Sequence, residues 1–182
     1  MSDTTAIISI TGGAGQDSIT KVGTNHNDAQ GVVTFVMAAG DSATATYDSI
    51  TGYDMATATT FSDALEFEGT GAVSTFSAHV DSGTIKSHDI NAGIVTFDDA
   101  SVWATAIVIN AANLSDVRTY LATNLSANDV VAFTYDSDNS GAVDATMVFH
   151  QGSGASVADD MVMLVGVTAG DSVIATNASA GT

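Results

Sequence analysis

A mainly β fold is predicted: a short, turn-rich, β-roll-like N-terminal part, residues 1–92, packed on a β-rich α+β unit with one helix, residues 93–182. Three observations predict it. Short runs rich in Val, Ile, Thr, Phe and Tyr recur between clusters of Gly, Asp, Asn and Ser. A single segment carries apolar residues at helical spacing. The composition also shifts near residue 92, from Gly/Thr/Asp-rich to a compact strand, helix and three further strands.

In chain order, strands are predicted over 6–10, 32–37, 44–50, 65–67, 94–97, 130–135, 146–150 and 161–165. From 115 to 125, Val117, Tyr120, Leu121 and Leu125 share one helical face, with Asn113 or Ser115 placed to cap the start. Residues 101–112 read both ways, being Ala-rich yet carrying the β-branched run Ile107, Val108, Ile109. Trp103, beside this Ala/Val stretch, is expected in the core. The N-terminal part holds few large apolar residues and is expected to lean on the second part.

The charge balance excludes whole classes of partner. Against 21 Asp and Glu stand three Lys and Arg, a net charge of −18. Such a chain repels nucleic-acid phosphates and anionic headgroups, so neither nucleic acid nor a polybasic membrane contact is expected. No apolar stretch is long enough to be a transmembrane segment. The absence of Cys removes disulfides, thiolate catalysis and Cys-ligated zinc. The first residues lack a basic start followed by an apolar run, so no general secretory signal peptide is read there.

Two Gly/Asp bends point to calcium. Gly12-Gly13-Ala14-Gly15-Gln16-Asp17-Ser18-Ile19-Thr20 satisfies the G-G-x-G-x-D-x-U-x nonapeptide of calcium-binding β-rolls. Glycines permit the tight turn, carbonyls and the Asp supply hard oxygen ligands, and the apolar residue plugs the roll. Gly13, Gly15 and Asp17 are therefore candidate metal residues. An ion in such a roll sits between stacked turns, so a second half-site is required. Asp28, in Gly23-Thr24-Asn25-His26-Asn27-Asp28, is the candidate for it.

The second bend is Asp136-Ser137-Asp138-Asn139-Ser140-Gly141-Ala142-Val143-Asp144. Oxygen side chains at loop positions one, three, five and nine, with Gly at six, reproduce the front half of an EF-hand loop. Position twelve, where a bidentate Glu belongs, is Met147, and the flanks read as strands. Asp136, Asp138, Ser140 and Asp144 are the candidate ligands on this hairpin loop.

Other constellations are set aside. His79, Asp81, His88 and Asp89 need no zinc or haem to explain them, and His26 and His150 are isolated, His150 being read as solvated or satisfied in place. Asp98-Asp99 and Asp159-Asp160 read as a solvated rim or extra ion ligands. No nucleophile elbow, zincin helix or phosphate loop occurs, so no enzyme is expected.

The nonapeptide, the segment Asp48-Ser49-Ile50-Thr51-Gly52-Tyr53 followed by Asp63-Ala64-Leu65-Glu66-Phe67, and the ending from Ala132-Phe133-Thr134-Tyr135 through Met147-Val148-Phe149 to Met161-Val167 resemble the C-terminal region of RTX-type bacterial exoproteins. Tyr53 stands where that family's D-x-I-x-x-F motif has Phe. The resemblance implies a calcium-binding, non-catalytic terminus of a surface-layer (S-layer) protein or adhesin at the bacterial cell surface. Its implied partners are calcium ions, the type I secretion machinery and neighbouring copies of itself. The alternatives it leaves are the secretion module of an exported protease or lipase and, more remotely, a haem binder.

Overall fold

The computed structural model describes residues 8–22, 33–42, 46–54, 63–67, 71–72, 76, 78–91, 93–153 and 159–168. The fold is mixed α+β, dominated by strand, with a single short helix among the described residues. The strands are β1 (Ile8–Thr11), β2 (Ser18–Thr20), β3 (Val33–Met37), β4 (Asp48–Thr51), β5 (Ala64–Phe67), β6 (Gly71–Ala72), β7 (Ser87–Asn91), β8 (Ile94–Asp98), β9 (Asp129–Tyr135), β10 (Ala145–His150) and β11 (Asp160–Val165). Helix α1 (Leu114–Asn124) lies between β8 and β9.

Successive N-terminal strands alternate between two sheets. β1, β3 and β5 form a three-stranded parallel sheet. β2 and β4 form a second parallel ladder, which runs on through β11, β10, β9, β8 and β7 to make an eight-stranded sheet with β6 beside β9. β4 and β11 are parallel neighbours, and β7 and β8 form an antiparallel pair on either side of residue 92. The larger sheet therefore draws strands from both sides of that boundary.

Alternation along the central strands explains the layers. In β9, Val130 and Ala132 face the three-stranded sheet, whereas Val131, Phe133 and Tyr135 face α1. β10 repeats the split, with Val148 on the first side and Ala145, Met147 and Phe149 on the second. One core joins Phe35, Met37, Leu65 and Phe67 to Ile50, Val162 and Leu164. The other packs Val117, Tyr120 and Leu121 of α1 on Phe97, Phe133 and Phe149. All six β10 residues are buried, as expected of a strand covered on both faces.

Helix α1 starts one residue earlier than the spacing predicts. Asn113 is its N-cap residue but makes no side-chain cap, because its Oδ1 accepts the Asn110 N–H at 2.9 Å. The ambiguous stretch 101–112 forms neither helix nor strand, only an isolated bridge from Asn110 to Asp136. It crosses the sheet end through Ile107 N–H to Phe97 O at 2.8 Å and Asp136 N–H to Ile109 O at 2.8 Å. Trp103 lies in it, 38% exposed, which corrects the core expectation: only Ile107 and Ile109 of this segment turn inward.

Candidate cation sites

The β9–β10 hairpin closes on the pair Tyr135↔Ala145, leaving Asp136 to Asp144 as its loop. The bend has the predicted backbone, with Asn139 and Gly141 at φ of 59° and 90°. Four predicted ligands are brought into this one loop. Asp136 is buried, its Oδ1 accepting Ser140 N–H at 3.0 Å and its Oδ2 Gly141 N–H at 2.8 Å. Asp138 Oδ1 shares the Ser140 N–H at 3.0 Å. Asp144 accepts Ser137 N–H at 2.8 Å and Ser137 Oγ–H at 2.7 Å, a partner the spacing argument did not name.

Hydrogen bonds from Ser140, hydroxyl first and backbone N–H second, hold the Asp138 carboxyl below the ordinary Asp range. The loop thus presents ionised oxygens at its rim. Nearby, burial, the Tyr47 hydroxyl, and the Asp136 and Asp144 carboxylates keep the Tyr135 phenol strongly protonated. Met147, at position twelve, is fully buried in the helix-side core and offers no oxygen.

The Gly12–Asp17 turn joins β1 to β2 and so carries the chain from one sheet to the other. Gly13 and Gly15 take φ of 84° and 123°, the conformations for which glycine was expected. Gly15 N–H reaches Asp41 O at 3.2 Å. Asp28 lies outside the described residues. The neighbour of Asp17 is instead Asp48, at the start of β4: Asp17 N–H donates to Asp48 Oδ1 at 2.8 Å and Ser49 N–H donates to Asp17 O at 2.9 Å.

Asp48 is fully buried, and its Oδ2 has no hydrogen-bond partner among the described residues. Burial raises its pKa above the ordinary Asp value; the Asp17 N–H opposes this, and the carboxylates of Asp17, Asp41 and Asp160 add to it. A buried hydroxyl anchors the backbone there: Ser42 Oγ accepts Asp48 N–H at 2.7 Å and donates to Met161 O at 2.5 Å.

Two further acid side chains are buried here, one beside a lysine and one beside a histidine. Asp63, just before β5, accepts both oxygens' worth of contact from Lys21 Nζ at 2.7 and 2.8 Å, with Val33 N–H at 2.9 Å and Asp54 N–H at 2.8 Å. On β10 and β11, His150 Nδ1 stands 3.8 Å from Asp160 Oδ2, and the imidazole stacks on Phe67. His150 is fully buried and neither ring nitrogen has a hydrogen bond among the described residues, which corrects the solvated reading. The face opposite Phe149 is covered by the three-stranded sheet.

The acid rim expected at Asp98 and Asp160 is also corrected, since both are buried. Asp98 accepts N–H groups of Ala104, Thr105 and Ala100, which hold its carboxyl below the ordinary range, and Asp160 Oδ1 accepts Gly40 N–H at 2.9 Å. His79 and His88 are 5.5 Å apart by ring centroid, but each has one nitrogen engaged, with Lys86 O at 2.9 Å and Tyr120 Oη at 2.7 Å. Among the described residues, no group of three His, Asp or Glu is placed to hold a metal ion.

The residues missed in the sequence are Asp48 as the neighbour of Asp17, and the strand β2. A signal for both is the tetrapeptide Asp-Ser-Ile-Thr, which occurs at 17–20 and again at 48–51. No helix among the described residues is long and apolar enough to cross a membrane. No protein-family model and no curated protein matches the chain.

Proposed function

We propose that this chain is a non-catalytic, calcium-binding C-terminal module of a large secreted bacterial surface protein, of the S-layer or adhesin kind, serving export, attachment or calcium-dependent assembly. The observation that supports the reading is the β9–β10 loop, where Asp136, Asp138, Ser140 and Asp144 fall within nine consecutive residues around a Gly141 bend. The charge of −18 supports it, because a chain with three cationic side chains gains stability from bound cations. With a dissociation constant of ~0.1 mM and ~1 mM free ion, each site adds about 1.4 kcal/mol. Calcium outside the cell then favours the folded state, and its scarcity in the cytosol favours a chain loose enough to thread through an exporter.

The test is a calcium titration followed by far-UV circular dichroism and thermal melting, reversed with EDTA. Calcium is expected to raise the melting temperature, and Asp136→Ala with Asp138→Ala to remove most of the loop's contribution. Melting curves identical with calcium and with EDTA would end the calcium reading. Light scattering then addresses assembly, for which a calcium-dependent rise in mass is expected.

A further inference from the structure

We infer that the exposed segment from Val102 to Val108, together with Val143 of the neighbouring hairpin loop, is a self-association surface, on which a second copy of this chain docks once calcium has neutralised the β9–β10 loop. The inference rests on the calcium reading of that loop and adds to it the surface and the partner.

Large apolar side chains are exposed at seven positions among the described residues, and four of these fall on two adjoining segments: Val102 at 81%, Trp103 at 38%, Val108 at 42% and Val143 at 37%. β8 and β9 run parallel, so the chain leaving β8 after Asp98 and the loop leaving β9 after Tyr135 emerge at one end of the large sheet. They also touch there. Asn110 bridges to Asp136, and Asp136 N–H donates to Ile109 O at 2.8 Å.

The frame beneath the exposed side chains is fixed. Ala104 and Thr105 N–H groups donate to the buried Asp98 Oδ2 at 2.6 and 3.0 Å, and Ile107 N–H donates to Phe97 O at 2.8 Å. Apolar groups gathered on an already ordered backbone mark a contact surface, because docking there costs little further chain entropy.

Charge selects the partner. Residues 100–115 contain no Asp, Glu, Lys, Arg or His, the longest such run in a chain of net charge −18. A basic partner would gain most by covering the acids outside this run, whereas a second copy is repelled everywhere except where both surfaces are uncharged. A two-fold contact sets the run against itself. At its border stand the carboxylates of the β9–β10 loop, and like charges brought together across an interface oppose docking. Calcium held by the loop cancels them, so association follows the ion. Four side chains cover less than the roughly 800 Å² per partner of a standard interface, and the dimer is expected to be weak and reversible.

The experiment uses the full chain at neutral pH, with calcium as the added ion. Sedimentation velocity over a range of protein concentrations reads mass, and the emission of Trp103, the single tryptophan of the chain, reads the surface itself. With calcium, a monomer–dimer equilibrium is expected, Trp103 emission moving to shorter wavelength as the dimer forms; in EDTA, dimerisation is expected to be at least tenfold weaker. Val102→Asp with Val108→Asp is expected to stay monomeric while calcium titrates as in the parent. Val102→Ser with Val108→Ser, which removes apolar surface without adding charge, keeps the inference testable if the aspartate variant folds poorly; at least tenfold weaker dimerisation is expected.

The inference is overturned if the parent binds calcium yet stays monomeric, in which case the calcium reading stands without it. A dimer that forms equally well in EDTA overturns the dependence on the ion. Unchanged Trp103 emission on dimerisation, or Val102 and Val108 variants that dimerise like the parent, places the contact elsewhere and overturns the surface. If calcium neither binds nor changes the mass, the calcium reading and the inference fail together.

Discussion

The two Gly/Asp bends of this protein solve the same electrostatic problem in opposite ways. In the β9–β10 loop, Asp136, Asp138 and Asp144 all accept N–H groups from within nine residues of chain, so the loop stabilises its own carboxylates. At the Gly12 turn, Asp17 meets Asp48 across 31 residues, and one Asp48 oxygen has no hydrogen-bond partner among the described residues. A local motif carries its own donors, whereas a pair created by strand register has only what the fold happens to bring. Asp63 is the control: equally buried, but closed by Lys21 and two backbone N–H groups.

The strongest way to break this contrast is to open Asp63. Lys21→Met leaves a buried, uncompensated carboxylate and is expected to cost about 3–5 kcal/mol in chemical denaturation. Adding Asp63→Asn should recover part of that loss; no recovery would mean that the Lys21 stem, rather than its charge, matters. Leu121→Ala is expected to cost about 2–5 kcal/mol by leaving a cavity under α1. Its calcium titration should match the parent, because the helix lies across the sheet from the Gly12 turn and outside the hairpin loop. A loss of affinity would couple the two faces.

The pH dependence sharpens the comparison, since the two bends have opposite signs. Asp48 has a raised pKa, so without calcium its contribution favours folding below the unfolded Asp value of about 4 and is lost as pH rises through its folded value. Asp48→Asn should flatten that part of the stability curve. Asp138 has a lowered pKa, so its contribution is present above the unfolded value and is lost as pH falls through the folded one. Asp138→Asn should produce the smallest change, confined to the acid limb, because the group is exposed and solvent screens it. Denaturation midpoints of both variants from pH 3 to 7, in EDTA, check the two signs.

Much of the secondary structure was legible. β8, β9, β10, β11 and α1 fall within a residue or two of the segments predicted from β-branched runs and helical spacing. β2 was not legible as a strand, because its three residues hold one apolar side chain and its exposure is high. β7, Ser-His-Asp-Ile-Asn, is polar and sits at the sheet edge, where no burial pattern writes itself into the sequence. Of the candidate site, the hairpin loop was readable because its ligands and its bend lie within nine consecutive residues. His150 and Trp103 were misread for a shared reason: whether a side chain on a strand or a connecting segment is covered depends on elements far away in the chain.

The amino-acid sequence by itself determined the negative charge, the prevalence of strand, the helix at Leu114–Asn124 and the oxygen-rich hairpin loop, all properties of composition or of short-range order. Only the tertiary structure decided that Asp17 stands beside Asp48, that the His150–Asp160 pair is sealed beneath the smaller sheet, and that β4 and β11 join the two ends of the chain. Parallel pairing is a contact between distant segments whose register no local pattern specifies, and burial follows from it.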